Sequence, residues 1–198
     1  KSILPVKQTQ IEFNRPVAYT IPKSFSYSQI STYETCPYKY KLAHIIRVPT
    51  KGTGNISFGI TMHSVFQRFY EAIQTKNSAT QASLFDAQPV ETKEDGVVIA
   101  PKLDELLELY DSKWVDDWYE STRQRNDYYE KGKKILRTFY AAQEGQWAIP
   151  LALEKGFTIR VGEYTVRGSI DRVDQMDDGT LEIIDYKTGK TKEKIIGK

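Results

Sequence analysis

The feature that most constrains this chain is a change of hydrophobic period at Pro150. Upstream of it, apolar residues recur at helical spacing. Phe58, Met62, Phe66, Phe69 and Ile73 define one face of an amphipathic helix over 57–75. Leu103, Leu106, Leu107, Tyr110, Trp114 and Trp118 predict a second helix over 102–120. Tyr128, Gly132, Ile135, Leu136, Phe139 and Trp147 predict a third over 126–147, which Pro150 closes. Downstream the period shortens to that of strands. FTIRV at 157–161 and YTVRG at 164–168 flank a tight turn at Gly162-Glu163, and the second run continues into SIDRVD. Asp177-Asp178-Gly179 makes another turn before LEIIDYKT at 181–188, a third strand. Helices followed by a β-meander predict an α/β (α+β) fold.

The remaining segments frame that core. Residues 1–23, with Pro5, Pro16 and Pro22, read as a linker or extended arm. Ser26 and Ser28 offer N-caps for a short helix reaching Cys36, and Pro37 starts another through Leu42 and Ile46. Gly52 and Gly54 mark a loop, and the polar stretch 76–100 reads as an insertion or flexible loop. The 198 residues suit one domain, taken as 24–198, and 39% hydrophobic residues suffice for a core. No apolar run approaches the ~20 residues that cross a bilayer, so no membrane partner is expected. The N-terminal KSILPVKQTQ lacks the apolar stretch of a signal peptide, and a single cysteine, Cys36, excludes an internal disulfide. These features predict a reducing, cytoplasmic setting. A chain opening on Lys1 is expected to be a piece of a larger protein.

Charge is unevenly spread behind a net +2. Residues 1–60 carry eight Lys/Arg against two acids, 84–130 five against thirteen, and 187–198 five lysines against one acid. Two basic ends flanking an acidic middle describe either a surface for a polyanion such as DNA or a solvated surface of uneven charge.

One group of residues suggests chemistry. Residues two apart in a strand point to one face, so Asp185 and Lys187 project together. The carboxylate can hold Mg²⁺ or Mn²⁺, the ammonium can position a water or stabilise charge on a phosphate, and the Tyr186 carbonyl between them offers another oxygen. An isolated Asp-x-Lys equally describes a surface ion pair, the more frequent case. Asp171 strengthens the metal reading, because the Asp177–Gly179 turn brings its strand beside Asp185. Its alternative is an acid paired with Arg167 or Arg172. His63 lies on the amphipathic helix four residues after Gly59, on the same face, where a ligand or a backbone can approach. A lone helical histidine is also often a satisfied boundary residue. His44, in an apolar and basic segment with no nearby acid, reads as structural.

The motifs, taken in order, resemble the RecB-type branch of the PD-(D/E)XK nuclease superfamily. The resemblance is carried by Ser26-Tyr27-Ser28-Gln29-Ile30 leading to Tyr33-Glu34-Thr35-Cys36-Pro37-Tyr38-Lys39-Tyr40, then Phe58-Gly59-Ile60-Thr61-Met62-His63. It continues through Leu153-Glu154-Lys155-Gly156-Phe157 and Gly168-Ser169-Ile170-Asp171-Arg172-Val173-Asp174, and ends with Ile183-Ile184-Asp185-Tyr186-Lys187-Thr188-Gly189-Lys190. Each motif is short; their ordered set, across about 24–190, is the specific signal. The resemblance implies a restriction-endonuclease-like core. It implies that His63, Asp171, Asp185 and the Tyr186 carbonyl bind Mg²⁺ or Mn²⁺, that Asp171, Asp185 and Lys187 are catalytic, and that a metal-activated water hydrolyses a DNA phosphodiester. Glu154 matches a recurring acid ahead of the first strand and is an auxiliary candidate, with a structural salt bridge as its alternative. Arg172 and Lys190 read as phosphate contacts or, equally, as exposed ion pairs.

Two departures from the family pattern matter. The Gln-x-x-x-Tyr element that follows the catalytic strand in the family is not in this sequence, so the last core helix and strand are expected beyond Lys198. Some members hold an iron–sulfur cluster through one cysteine of a Cys-Pro segment and three more; Cys36 fits the first position and has no companions here, so a structural cysteine is expected. The family context implies a partner helicase motor of the UvrD/RecB kind and a role in DNA end processing, recombination or repair. This chain itself has no Walker motif. The alternatives are a stand-alone exonuclease like those of CRISPR adaptation, and a non-catalytic DNA-binding relic of the fold.

Overall fold

The computed structural model describes residues 20–82 and 97–189, with only the backbone for 79–82. Within these, the chain forms two compact units. One contains the described residues up to Val48 with the hairpin tip Arg160–Val166; the other contains those of Pro49–Ile159 and from Arg167 onward. The fold is mixed α/β, with five α-helices and a four-stranded sheet among the described residues.

In the first unit a short strand, β1 (Ser24–Ser26), leads directly into α1 (Tyr27–Thr35). Ser26 is the predicted cap. Its hydroxyl accepts the Gln29 amide at 3.3 Å while the Gln29 side-chain oxygen accepts the Ser26 amide at 2.7 Å, so two orphan donors are satisfied reciprocally. Pro37 opens α2 (Pro37–Tyr40), as expected. The chain then widens into a π-helical turn over Lys41–Ile46, which Arg47 ends at a φ of 58°. His44 tilts against the Tyr40 ring at 5.1 Å. Cys36 is half-buried between α1 and α2, and its amide donates to Thr32 at 3.0 Å.

The second unit holds the principal core. Helix α3 (Gly54–Ala82) buries Phe58, Met62, Phe66, Phe69 and Ile73, the residues its period singles out, with Val65 and Tyr70 beside them. Leu106 and Tyr110 of α4 (Leu103–Lys113) and Leu136 of α5 (Thr122–Gln143) complete the cluster. Fully burying side chains of this size contributes roughly 1.5–3 kcal/mol each before entropy is subtracted. No helix among the described residues is long and apolar enough to cross a membrane.

Helix boundaries differ from those expected, for tertiary reasons. Helix α3 continues seven residues beyond Thr75 into the expected loop. Asn77 stabilises this extension: its side-chain amide accepts the Ile99 amide at 3.0 Å and donates to the Ile99 carbonyl at 2.9 Å, as a strand partner would. Helix α4 stops at Lys113 rather than near 120. There Thr61 of α3 takes the Val115 amide at 3.0 Å, and Ser57 donates to the Asp117 carbonyl. Backbone groups recruited in this way are lost to a helical ladder. The segment turns through Trp118 at a φ of 62°, and Ser121 caps α5 four residues earlier than the pattern suggests. The expected loop's residues 83–96 lie outside the described residues, as do residues 1–19 of the expected arm.

The meander forms as expected. Strand β2 (Ala152–Val161) turns at Gly162, φ 62°, into β3 (Tyr164–Gln175), and a second turn at Gly179, φ 81°, leads into β4 (Leu181–Ile184). The order is β1-β3-β2, with β4 also paired to β3. Gly168 leaves room in β3 for the Phe157 ring, which would lie 2.5 Å from a Cβ placed there and would have to shift.

Candidate metal centre

The site lies wholly in the second unit and is set by one register. Strands β3 and β4 run antiparallel with Arg172 opposite Ile184 and Val173 opposite Ile183. The chain leaving Ile184 therefore meets Asp171. The ladder does not continue, because the Tyr186 amide donates to the Asp171 carboxylate at 2.8 Å instead of to a backbone carbonyl. This is why β4 is only four residues long, whereas the apolar pattern suggests a strand through Thr188. Asp185 and Lys187 sit just past the strand, and their side chains do project together: Nζ lies 2.5 Å from the carboxylate. Both are exposed.

Tyr186 anchors this tripeptide. Its ring stacks on Phe66 of α3 at 4.5 Å and meets His63 edge-on at 6.2 Å. Burial raises its phenol well above the usual range, against the lowering influence of Arg172 nearby. Thr188 then passes over α3, its hydroxyl 3.7 Å from where a Gly59 Cβ would stand. The neighbour at Gly59 is thus the Thr188 side chain, not a ligand or a closely approaching backbone, and an alanine there would make only ordinary contact.

Across from this loop, α3 presents His63. Its Nδ1 lies 3.4 Å from the buried Asp171 carboxylate. Glu154, on β2, completes the arrangement: ligand atoms of His63, Glu154 and Asp171 all lie within 4.8 Å of one another. No other such group occurs among the described residues, and Asp185, held by Lys187, is not a member of it. Beside the loop, a cleft of about 820 Å³ is lined by Asp185, Lys187, Lys131, Tyr128, Phe139 and Asn55 among others. Lys131 stands 5.4 Å over the Phe58 ring and 5.6 Å over Tyr128. Lys131 carries no motif, and its position on a charged helix face gives no signal in the sequence.

Arg172, expected among phosphate contacts, is instead interior, with 6% of its surface exposed. Its Nε donates to Asp174 at 2.7 Å, a second nitrogen pairs with the other carboxylate oxygen, and the guanidinium lies 3.8 Å over the Tyr70 ring. Burial would lower its pKa, but the Asp174 bonds and Tyr70 outweigh burial and raise it, so the charge is retained. Arg172 therefore holds β3 against α3. Lys190 lies outside the described residues.

A family model of the PD-(D/E)XK nuclease superfamily matches residues 24–196. The chain belongs to the PD-(D/E)XK nuclease superfamily. No curated protein matches the chain. Membership makes it a nuclease by fold, of a superfamily whose members generally use divalent metal ions on DNA. The residues present fit such an ion. One imidazole nitrogen and two carboxylates converge, and a divalent cation would offset the repulsion between Glu154 and Asp171.

Proposed function

We propose that this PD-(D/E)XK chain is a metal-dependent deoxyribonuclease domain that hydrolyses DNA phosphodiester bonds. The observation that carries this reading is the Asp171 carboxylate. It is buried between the His63 imidazole and the Tyr186 amide, so the helix, the central strand and the catalytic tripeptide meet at one group. His63, Asp171, Asp185 and the Tyr186 carbonyl would hold the ion, and Mg²⁺ or Mn²⁺ would suit a donor set dominated by oxygen. When bound, the ion polarises the scissile phosphate and lowers the pKa of a water. Asp185 and Lys187 act as a pair: the carboxylate fixes the exposed ammonium, which would stabilise developing charge on a phosphate bound beside it. The cleft beside them, with Lys131 and aromatic walls, takes the DNA strand.

In its larger setting the domain, residues 24–198 with 1–23 as an arm, is the nuclease part of a cytoplasmic helicase–nuclease acting in DNA end processing, recombination or repair. The helicase motor lies in the same polypeptide or complex. The ordered motifs around His63, Asp171 and Asp185-Tyr186-Lys187 support this reading.

The test is metal-dependent cleavage of end-labelled and circular DNA by the full polypeptide and its Asp185→Ala and Lys187→Ala variants. Each variant is expected to lose about 10²–10³-fold in rate, as when one electrostatic stabiliser is removed, with its melting temperature unchanged. Cleavage at the wild-type rate by both variants would overturn the assignment.

A further inference from the structure

We propose that Lys131 of α5 binds a DNA phosphate in the cleft beside Asp185 and Lys187, holding the strand without entering the reaction; this rests on the deoxyribonuclease reading above. The helix period places it there. Tyr128, Lys131, Ile135 and Phe139 recur at spacings of three and four and together form the α5 wall of the cleft. Among the described residues no other cation of α5 lines it.

The Lys131 side chain is set up for an anion from outside the chain. Its ammonium stands 5.4 Å over the Phe58 ring and 5.6 Å over Tyr128. Those rings are themselves fixed: Phe58 is buried, and the Tyr128 hydroxyl donates to Asn55 at the start of α3. A cation resting on fixed rings loses less side-chain freedom on binding than one extended into solvent. The structural explanation for a helical lysine is not met. Asp127 stands four positions earlier, the spacing and order that favour an ion pair, yet among the described residues Lys131 has no acid partner. Arg125 and Lys133 of the same helix do take acids, Asp116 and Asp111. Lys131 is exposed, so a ligand can reach its ammonium.

The charge of the cleft points the same way. Its charged lining residues are Asp185, Lys187 and Lys131. The first two pair with each other, which leaves the Lys131 charge uncompensated. Apolar and aromatic neighbours such as Met62 and Phe66 lower the local polarity and strengthen its attraction for an anion. A strand with its scissile phosphate beside Lys187 would run along the cleft towards α5 and present another phosphate there. Such a contact fixes register and carries no base preference.

The experiment measures binding of labelled single-stranded oligonucleotides across a salt series, together with steady-state Mg²⁺-dependent cleavage. It uses the full polypeptide and its Lys131→Gln, Lys131→Met, Lys134→Gln and Lys187→Ala variants. Lys131→Gln is expected to weaken binding about tenfold, equivalent to 1.4 kcal/mol, and by the same factor for oligonucleotides of different sequence. Its salt slope should shrink by about one, and its KM should rise at unchanged kcat. Lys131→Met keeps an apolar stem over the rings and should bind as weakly as Lys131→Gln. Lys134→Gln, on the same helix but outside the cleft, should match wild type. Wild-type affinity and salt slope in Lys131→Gln, recovery of wild-type binding by Lys131→Met, or a loss confined to kcat would each overturn the proposal. If Lys131→Gln behaves like wild type while Lys187→Ala loses cleavage, the phosphate contact fails and the nuclease reading stands. If Lys187→Ala cleaves at the wild-type rate while Lys131→Gln shows the binding loss, the phosphate contact stands and the catalytic assignment fails.

Discussion

Replacing Asp174 by alanine would strand the Arg172 guanidinium in the interior. Asp174 and Arg172 are 4% and 6% exposed, and they share a two-pronged hydrogen-bonded contact. Breaking a buried pair by removing one partner costs about 3–5 kcal/mol, because the remaining charge is left uncompensated. The Tyr70 ring, 3.8 Å from the guanidinium, stays in place and retains part of the stabilisation, which puts the expected loss near the lower figure. For a chain of this size about 3 kcal/mol corresponds to a fall of roughly 6–12 °C in melting temperature, measurable by circular dichroism. The double variant Arg172→Met, Asp174→Leu removes both charges and is expected to recover most of that loss. An Asp174→Ala variant within about 1 kcal/mol of wild type, or a double variant no more stable than the single one, would refute the reasoning. The same pair decides the role of Arg172. A folded double variant should bind DNA with an unchanged salt slope, whereas loss of a phosphate contact would reduce the slope by about one.

Gly132→Ala should destabilise the protein despite its place inside α5. Helix propensity favours alanine by about 1 kcal/mol, but the new methyl would lie 2.1 Å from the Tyr110 hydroxyl, and the overpacking costs about 1–3 kcal/mol. A raised urea midpoint would contradict this packing. Alkaline pH should unfold the protein cooperatively. Burial raises the phenols of Tyr70, Tyr110, Tyr119, Tyr140 and Tyr186, with Tyr119 pushed up to about 12. A pKa raised in the folded state favours the neutral form. That stability is complete below the unfolded value near 10 and is lost as pH rises through the folded values. Phenolate absorbance of these residues should therefore appear together with unfolding, and independent titration near pH 10 would contradict it.

Much of this architecture is readable in the sequence where one residue's period or turn chemistry decides the outcome. The α3 core positions, the Ser26 cap, the Pro37 start and the turns at Gly162 and Gly179 are of this kind. The pairing of Asp185 with Lys187 is also readable, although it forms past the end of β4 rather than within it. What escapes the sequence is set by partners distant along the chain. Asn77 lengthens α3 through Ile99, and Thr61 and Ser57 shorten α4 by taking its backbone. Arg172 reads as a surface cation because its aromatic partner lies on α3, 102 residues earlier, at Tyr70. Glu154 is visible as an acid in a motif, but an alternating pattern carries no sign of a reversed φ.

The stacking of Tyr186 on Phe66 separates two functions within three consecutive residues. The loop is fastened through its middle side chain and its amide, while the two flanking side chains, which carry the charge, contribute nothing to that attachment. If Asp185 and Lys187 act as proposed, substitutions there are expected to change the reaction without loosening the scaffold. A substitution at Tyr186 would disturb both at once. A lineage that retired or altered the chemistry would be expected to vary the outer two positions and keep the ring between them.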